Sequence, residues 1–306
     1  MILFIKKNIY AFKFILLCFT RYKLYKHNTF LFVFKIYLIK VLFSYKSIRQ
    51  KFLKSRIINF QDNDFFEKPI NSNEIIKQID VNGISDKLNL KDIHINDILN
   101  EINNTNNLNY GDKKFLNLDE LIKEKLNQDI SRIAIPIDLD KNKKIFQILT
   151  SNLFKSVSRG YLNSNKVSIN CTLLISFPKN EMSDKDKISA AQTYHFDSDF
   201  SKFLKLYVYL NNVDKNNGPH SYVTKTHIQK QKKHQLQKGY SDKQITQSYD
   251  SIKIITGKKG TIFFEDSFGF HKGNVPKNNY RIMLNIHYGN SNIKYTKYDK
   301  LHFFED

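Results

Sequence analysis

The chain of 306 residues holds two cysteines, Cys18 and Cys171, which form no ligand-like pair. This excludes a cysteine-built metal site and fits a reducing compartment. Residues 1–61 contain no Asp, Glu, Gly or Pro, the first proline being Pro69. Without helix breakers, long helical segments are allowed there. Apolar runs of the ~20 residues that cross a bilayer are missing as well. Lys13 interrupts the run from Ile9 to Phe19, and Lys35 and Lys40 interrupt the run from Thr29 to Phe43. Lys13 also splits the hydrophobic region a signal peptide needs, and no small-residue cleavage pattern follows Cys18. A cytoplasmic location is expected, extending to the inner face of a membrane.

What residues 1–61 do hold is thirteen Lys or Arg, so the formal charge of +20 divides into +13 there and +7 in the remainder. Combined with dense Ile, Leu, Phe and Tyr, that charge suits peripheral contact of residues 1–60 with an anionic membrane, Lys stems snorkelling along the apolar surface. The alternative is a basic helical pair packed against the body. Lys, Asn, Ile, Tyr and Phe are abundant throughout, so coding bias accounts for part of the basicity. No nucleic-acid motif accompanies the charge, and no specific nucleic-acid partner is expected.

The length suits one large core: an extension over 1–61 and a catalytic domain over 62–306. Residues 62–115 are polar and Asn-rich, with NNTNNLNYGD at 103–112 reading as a loop or exposed linker. Helical spacing appears over Leu116 to Leu126 and Lys144 to Val157. From about residue 167 short apolar runs take over: 167–177, 187–196, 204–210, 252–256, 260–265 and 280–288. Turns such as NNGP at 216–219 separate several of them, and the polar stretch at 229–250 reads as an insertion with a helix or loop. Many short strands without βα alternation predict a mainly β fold, a double-stranded β-helix (jelly roll) with flanking helices and the basic helical N-terminal extension.

The chemistry gathers late. On a strand His195 and Asp197 share a face while Phe196 points away, so the pair can chelate one ion. His271, after FFEDSFGF, offers a third ligand from elsewhere in the sequence. Two histidines and a carboxylate form the facial triad of non-haem Fe(II) oxygenases, leaving positions for a bidentate cosubstrate and oxygen; zinc accepts the same ligands. Arg281 follows on the next strand, before the apolar IMLNI, and needs an anion. The distal carboxylate of 2-oxoglutarate supplies one; an ion pair with Asp266 or Glu265 is the alternative.

QTYHFDSD at 192–199, LKLYVYLNNVDKNNGPHSYVTKTH at 204–227, GTIFFEDSFGFHKGN at 260–274 and YRIMLNIHY at 280–288 together resemble the phytanoyl-CoA dioxygenase-like Fe(II)/2-oxoglutarate-dependent oxygenases. The resemblance covers residues 167–290 well and leaves out the basic N-terminus. It implies His195, Asp197 and His271 as iron ligands, Arg281 as the 2-oxoglutarate anchor, and O2 as the second cosubstrate. Where the family often has a Pro-Gly-Ser-His turn this chain has TKTH, keeping His227. Related halogenases carry a small residue in place of the carboxylate, so Asp197 argues for hydroxylation. Gln192 is a further candidate for cosubstrate contact, although its offset of three from His195 turns it away on a regular strand. His220, His227, Tyr194, Tyr207 and Tyr209 are candidates for lining the barrel or its mouth, while His287 reads as structural. Lys205 and Lys272 suit an anionic substrate or ordinary exposure.

The expected activity is hydroxylation of an aliphatic carbon in a small-molecule or lipid-linked substrate. A cupin-like metal-dependent isomerase or hydrolase is one alternative, disfavoured by Arg281 and by the lack of an obvious general base. A catalytically inactive membrane-associated scaffold is another. Substrate identity and oligomeric state are not legible.

Overall fold

The computed structural model describes residues 46–62, 64–104, 108–110, 112–126, 128–179, 181–197, 202–231, 239–290 and 301–304. Both apolar runs of the N-terminal segment, 9–19 and 29–43, lie outside the described residues. Among those described, no helix is long and apolar enough to cross a membrane.

The helices are α1 (Lys46–Phe52), α2 (Ser72–Asn82), α3 (Asp92–Asn104), α4 (Leu118–Leu126), α5 (Lys143–Leu149), α6 (Asn152–Leu162), α7 (Asp184–Ser189) and α8 (Asp242–Thr246). The first strands are β1 (Gln61–Asp62), β2 (Ile70–Asn71), β3 (Leu88–Asn89), β4 (Leu108–Tyr110), β5 (Lys113–Phe115), β6 (Arg132–Ile137) and β7 (Val167–Ser176). The remainder are β8 (Phe203–Tyr209), β9 (His220–Val223), β10 (Ile252–Ile255), β11 (Thr261–Glu265), β12 (His271–Gly273), β13 (Arg281–Gly289) and β14 (His302–Phe304).

Two antiparallel sheets carry the architecture. A seven-stranded sheet runs β14-β7-β13-β8-β11-β3, with β6 also on the outer edge of β7. There β6 pairs with Cys171 to Ser176 and β14 with Val167 to Ile169. A three-stranded sheet runs β10-β9-β12. It is extended by single bridges from His195 to His271 and from Tyr194 to Tyr240.

Strand alternation in the large sheet separates two environments. Ile169, Cys171, Leu173, Ile175, Leu206, Val208, Ile262, Phe264, Ile282, Leu284 and Ile286 turn to one face and join the main core with α2 to α6. Leu174, Tyr207, Tyr209, Phe263 and Met283 turn to the other and pack with Tyr222 and Ile255 of the small sheet. The same inward parity carries Lys205, Glu265, Arg281, Asn285 and His287. Period-two alternation thus places a polar lining between the sheets while the helices cover the opposite face.

Two expected boundaries shift. The helix predicted over 144–157 is two helices, because the Thr150 hydroxyl returns to the Phe146 carbonyl at 2.7 Å and extended Ser151 starts α6 anew. The strand predicted over 187–196 is mostly not one: Ser183 accepts from the Asp186 N–H and nucleates α7, leaving only Tyr194 and His195 in bridges. Within the polar stretch 229–250, α8 starts at a capping box of Ser241 and Gln244. The described part of the basic segment packs on the body, with Arg49 fully buried and the Leu53 carbonyl accepting from Lys202 Nζ at 3.0 Å.

Candidate metal centre

His195 and His271 meet across the antiparallel bridge that joins their strands, each N–H bonding the other's carbonyl at 3.0 and 2.9 Å. Their rings lie 4.3 Å apart between centroids. Asp197 completes the group, its Oδ1 lying 3.9 Å from His195 Nε2 and its Oδ2 3.6 Å from His271 Nε2. This is one of two His/Asp groups among the described residues whose ligand atoms all lie within 4.8 Å of one another.

Hydrogen bonding leaves one nitrogen of each ring free to face an ion. His195 Nδ1 lies 2.9 Å from the Thr193 carbonyl and His271 Nδ1 lies 3.0 Å from the Gly269 carbonyl. A carbonyl only accepts, so each Nδ1 carries the proton and donates, leaving both Nε2 lone pairs turned toward Asp197. Lys205 Nζ donates to Asp197 Oδ2 at 2.5 Å. Burial raises the Asp197 carboxyl, but Lys205 and the two imidazoles more than offset it and hold it well below the carboxylate range. Burial pulls His271 down to about 4, against the pull of Glu265 and Asp197, and lowers His195 too. The three groups are therefore poised as one carboxylate and two neutral imidazoles at neutral pH, the forms a divalent ion requires. The donor set fits iron or zinc.

Arg281 is buried among inward-facing groups. Its Nη1 donates to the Gly218 carbonyl and its Nη2 to Ser176 Oγ at 3.1 Å, while Nε has no hydrogen-bond partner. Neither Asp266 nor Glu265 is among those bonds. Asp266 is held instead by Arg49 at 2.6 Å, and Glu265 pairs with His220 Nε2 at 2.8 Å. Gly273, two residues beyond His271, makes room for the guanidinium: a Cβ there would stand 2.6 Å from Nη2. Asn285 Oδ1, on the same inward parity of β13, is likewise buried without a partner. Nε is thus a buried donor left without a partner, on a guanidinium packed against a bare glycine.

Gln192 goes elsewhere. Burial alternates along 191–197, so Gln192 shares the side of Tyr194 and Phe196, opposite His195 and Asp197. It lines an outer cleft with Lys272, the neighbour of His271 that points outward. His220 stacks 5.8 Å from His271, with Tyr207 4.8 Å from its ring. His227 is bonded elsewhere, its Nε2 3.2 Å from the Asp80 carbonyl. Sequence reasoning missed Lys205 as the cation on Asp197 and Glu265 as a carboxyl pushed up to about 7, chiefly by burial. The inward parity of LKLYVYL could have found Lys205; nothing local singles out Glu265.

No protein-family model matches the chain. No curated protein matches it in sequence either. Solved structures of similar shape include HygX from Streptomyces hygroscopicus with nickel and 2-oxoglutarate bound, at TM-score 0.49 and 11% identity over 72% of this chain and 88% of that one. Others are the non-heme alpha ketoglutarate dependent epimerase SnoN from nogalamycin biosynthesis (TM-score 0.48, 12% identity, 71% and 80% covered) and AviO1 from Streptomyces viridochromogenes Tue57 (0.47, 12%, 72% and 95%). What this site can do rests on its own residues.

Proposed function

We propose that this chain is a non-haem Fe(II)- and 2-oxoglutarate-dependent oxygenase on a jelly-roll frame, hydroxylating an aliphatic carbon of a small-molecule or lipid-linked substrate. The observation that carries this is the pairing of a His195–Asp197–His271 donor set with a buried arginine whose Nε is unpartnered. Iron with 2-oxoglutarate and O2 supplies oxidising power for C–H chemistry, the cosubstrate leaving as succinate and carbon dioxide. The protein's part is orientation. His195 and His271 present Nε2, each ring fixed by its Nδ1–H bond to a main-chain carbonyl. Lys205 holds Oδ2 of Asp197 and keeps that carboxylate charged. Arg281, its Nη groups tied to Gly218 and Ser176, receives the distal carboxylate through the edge that remains. The apolar inward residues Leu174, Phe263 and Met283 exclude water from the reaction.

Anaerobic addition of Fe(II) and then 2-oxoglutarate is expected to raise the metal-to-ligand charge-transfer band of the chelate. Bound iron without that band sinks the cosubstrate assignment. Arg281→Ala is expected to weaken 2-oxoglutarate far more than iron, and equal loss of both makes Arg281 structural.

A second reading draws on the buried His220–Glu265 pair at 2.8 Å, a proton-accepting group beside the triad that a metal-dependent isomerase or hydrolase would use. Uptake of solvent deuterium into product without succinate formation would select it. Peripheral membrane contact through residues 1–60 is proposed on charge and composition, and anionic-vesicle co-sedimentation of the full chain and of a chain lacking 1–45 decides it.

A further inference from the structure

A cleft of about 740 Å³ lies outside the space between the sheets, on the Lys272 side of β12. Five lysines line it, Lys187, Lys215, Lys243, Lys272 and Lys277, against two aspartates, Asp184 and Asp242. Lys272 is buried, its ammonium 4.8 Å from the Tyr194 ring centroid. Both Asp242 oxygens are taken by that ammonium, at 2.7 and 2.8 Å, so one aspartate is neutralised by the one buried lysine. Four lysines then face a single remaining carboxylate. At the inner end stands Gln192, 4% exposed, with neither Oε1 nor Nε2 hydrogen-bonded to protein. An amide left in that state costs free energy unless a ligand or water satisfies it.

We infer that this cleft is a binding site for a phosphate-bearing small molecule, its phosphate oxygens taken by the lysine rim and by the Gln192 amide. The volume is that of an ordinary small-molecule site. Phosphate suits the rim because it offers several acceptor oxygens and carries charge that several ammonium groups share, whereas a neutral ligand would leave the excess of lysines unused. The amide gives selectivity: its NH2 donates to phosphate oxygen and its Oε1 accepts from a hydroxyl of the attached group, a combination that chloride cannot answer. The site stands apart from the triad, so its test is independent of the oxygenase assignment.

The probe is pyrophosphate, titrated calorimetrically into the full metal-free chain. A chain of net charge +20 attracts anions everywhere, so the comparison of variants decides. The double variant Lys215→Ser with Lys277→Ser removes two exposed rim charges, and Lys68→Ser with Lys77→Ser removes two exposed charges outside the cleft. The rim pair is expected to weaken pyrophosphate about tenfold while the outside pair changes it less than about twofold. Gln192→Leu, close in size, is expected to weaken it about tenfold with the urea midpoint retained. Equal effects of the two lysine pairs, or no pyrophosphate heat in the unaltered chain, overturns the proposal. Unchanged affinity in a folded Gln192→Leu variant does so too.

Discussion

Asp197 and Asp266 each sit against a cation: Lys205 Nζ at 2.5 Å for the first, Arg49 Nη2 at 2.6 Å for the second. Their remaining partners differ. Asp266 also accepts from the Tyr161 hydroxyl at 2.6 Å and the Phe268 N–H at 2.9 Å, and its side chain is 0% exposed. Asp197 is 19% exposed and faces two imidazole Nε2 atoms at 3.6 and 3.9 Å, beyond hydrogen-bond range. One carboxylate is saturated and the other is held charged yet under-coordinated, which is the difference between a structural ion pair and a candidate ligand. The two are linked: the turn that Asp266 organises presents the Ser267 carbonyl to the Asp197 N–H and the Gly269 carbonyl to His271 Nδ1. The saturated aspartate is the foundation of the unsaturated one.

The sharpest way to break that comparison is to unpair Asp266. Arg49→Ala leaves a buried carboxylate with two neutral donors and no cation bonded to it, and the expected cost is about 3–5 kcal/mol. Urea unfolding of the full chain measures it, and a cost below about 1 kcal/mol would make the pair incidental. Removing charge at Asp197 is expected to cost much less stability, because Glu265 stands ready to take over: Asp197 is among the groups holding its carboxyl up, and Lys205 pulls it down.

Acid separates the regions next. Burial pulls His227, on the Asp266 side, down to about 4 from its ordinary 6.5. The unfolded chain therefore binds the proton first. The stability that neutral His227 contributes is complete above pH 6.5 and is lost as pH falls from 6.5 to 4, on the order of 3 kcal/mol. His271 behaves with the same sign in the metal-free chain, and bound metal holds it neutral. The slope of unfolding free energy against pH across that window is expected to flatten in His227→Gln, and to be at least as steep with metal as without, because metal-bound His271 stays unprotonated while the unfolded chain takes up the proton. A flat profile in the unaltered protein would contradict the assignment of buried neutral histidines.

Asp197→Asn addresses the under-coordinated partner alone. Metal affinity is expected to fall at least about 100-fold, more than loss of an outer hydrogen bond would give, with unfolding free energy changed by less than about 1 kcal/mol. Co(II) absorption titration reads the first and urea the second. Loss of both together would place Asp197 with Asp266 as a structural residue.

How much of this was legible follows from the range of each signal. Period-two spacing placed Leu206 and Val208 opposite Tyr207 and Tyr209, and put His195 and Asp197 on one face, because alternation is local. It equally turned Gln192 away, as its neighbours Tyr194 and Phe196 in the outer cluster show. Arg49 was invisible in its role: among thirteen basic residues in a segment without acids, nothing marks the one whose partner lies 217 positions later. Glu265 at the end of the 260–265 run and Asp266 after it read alike, as alternative partners for Arg281, since the burial separating their fates comes from β8, β9 and α1. Strand β12 was missed because three residues, His271 to Gly273, carry no periodicity; only the pairing with β9 makes them a strand.

The smallest expected effect tests whether the polar lining is tuned at the arginine as it is at the aspartate. Gly273 lies on β12 beside the Arg281 guanidinium, and a Cβ there would meet Nη2 at 2.6 Å and Nη1 at 3.2 Å. Those atoms end a long side chain, so Gly273→Ala need not unfold the strand; it displaces the guanidinium by a fraction of an ångström from its bonds to Gly218 and Ser176. His271 lies two residues away and keeps its backbone pairing with His195 and its Nδ1 bond to Gly269, neither of which uses the Gly273 side-chain position. Metal affinity is therefore expected to stay within about twofold while 2-oxoglutarate weakens about tenfold, the scale of one charge-assisted hydrogen bond. Co(II) titration followed by 2-oxoglutarate titration of the loaded protein separates the two. If metal and cosubstrate weaken together, Gly273 serves the strand that carries His271; if neither weakens, the guanidinium is looser than its burial implies and Arg281 is not a fixed anchor.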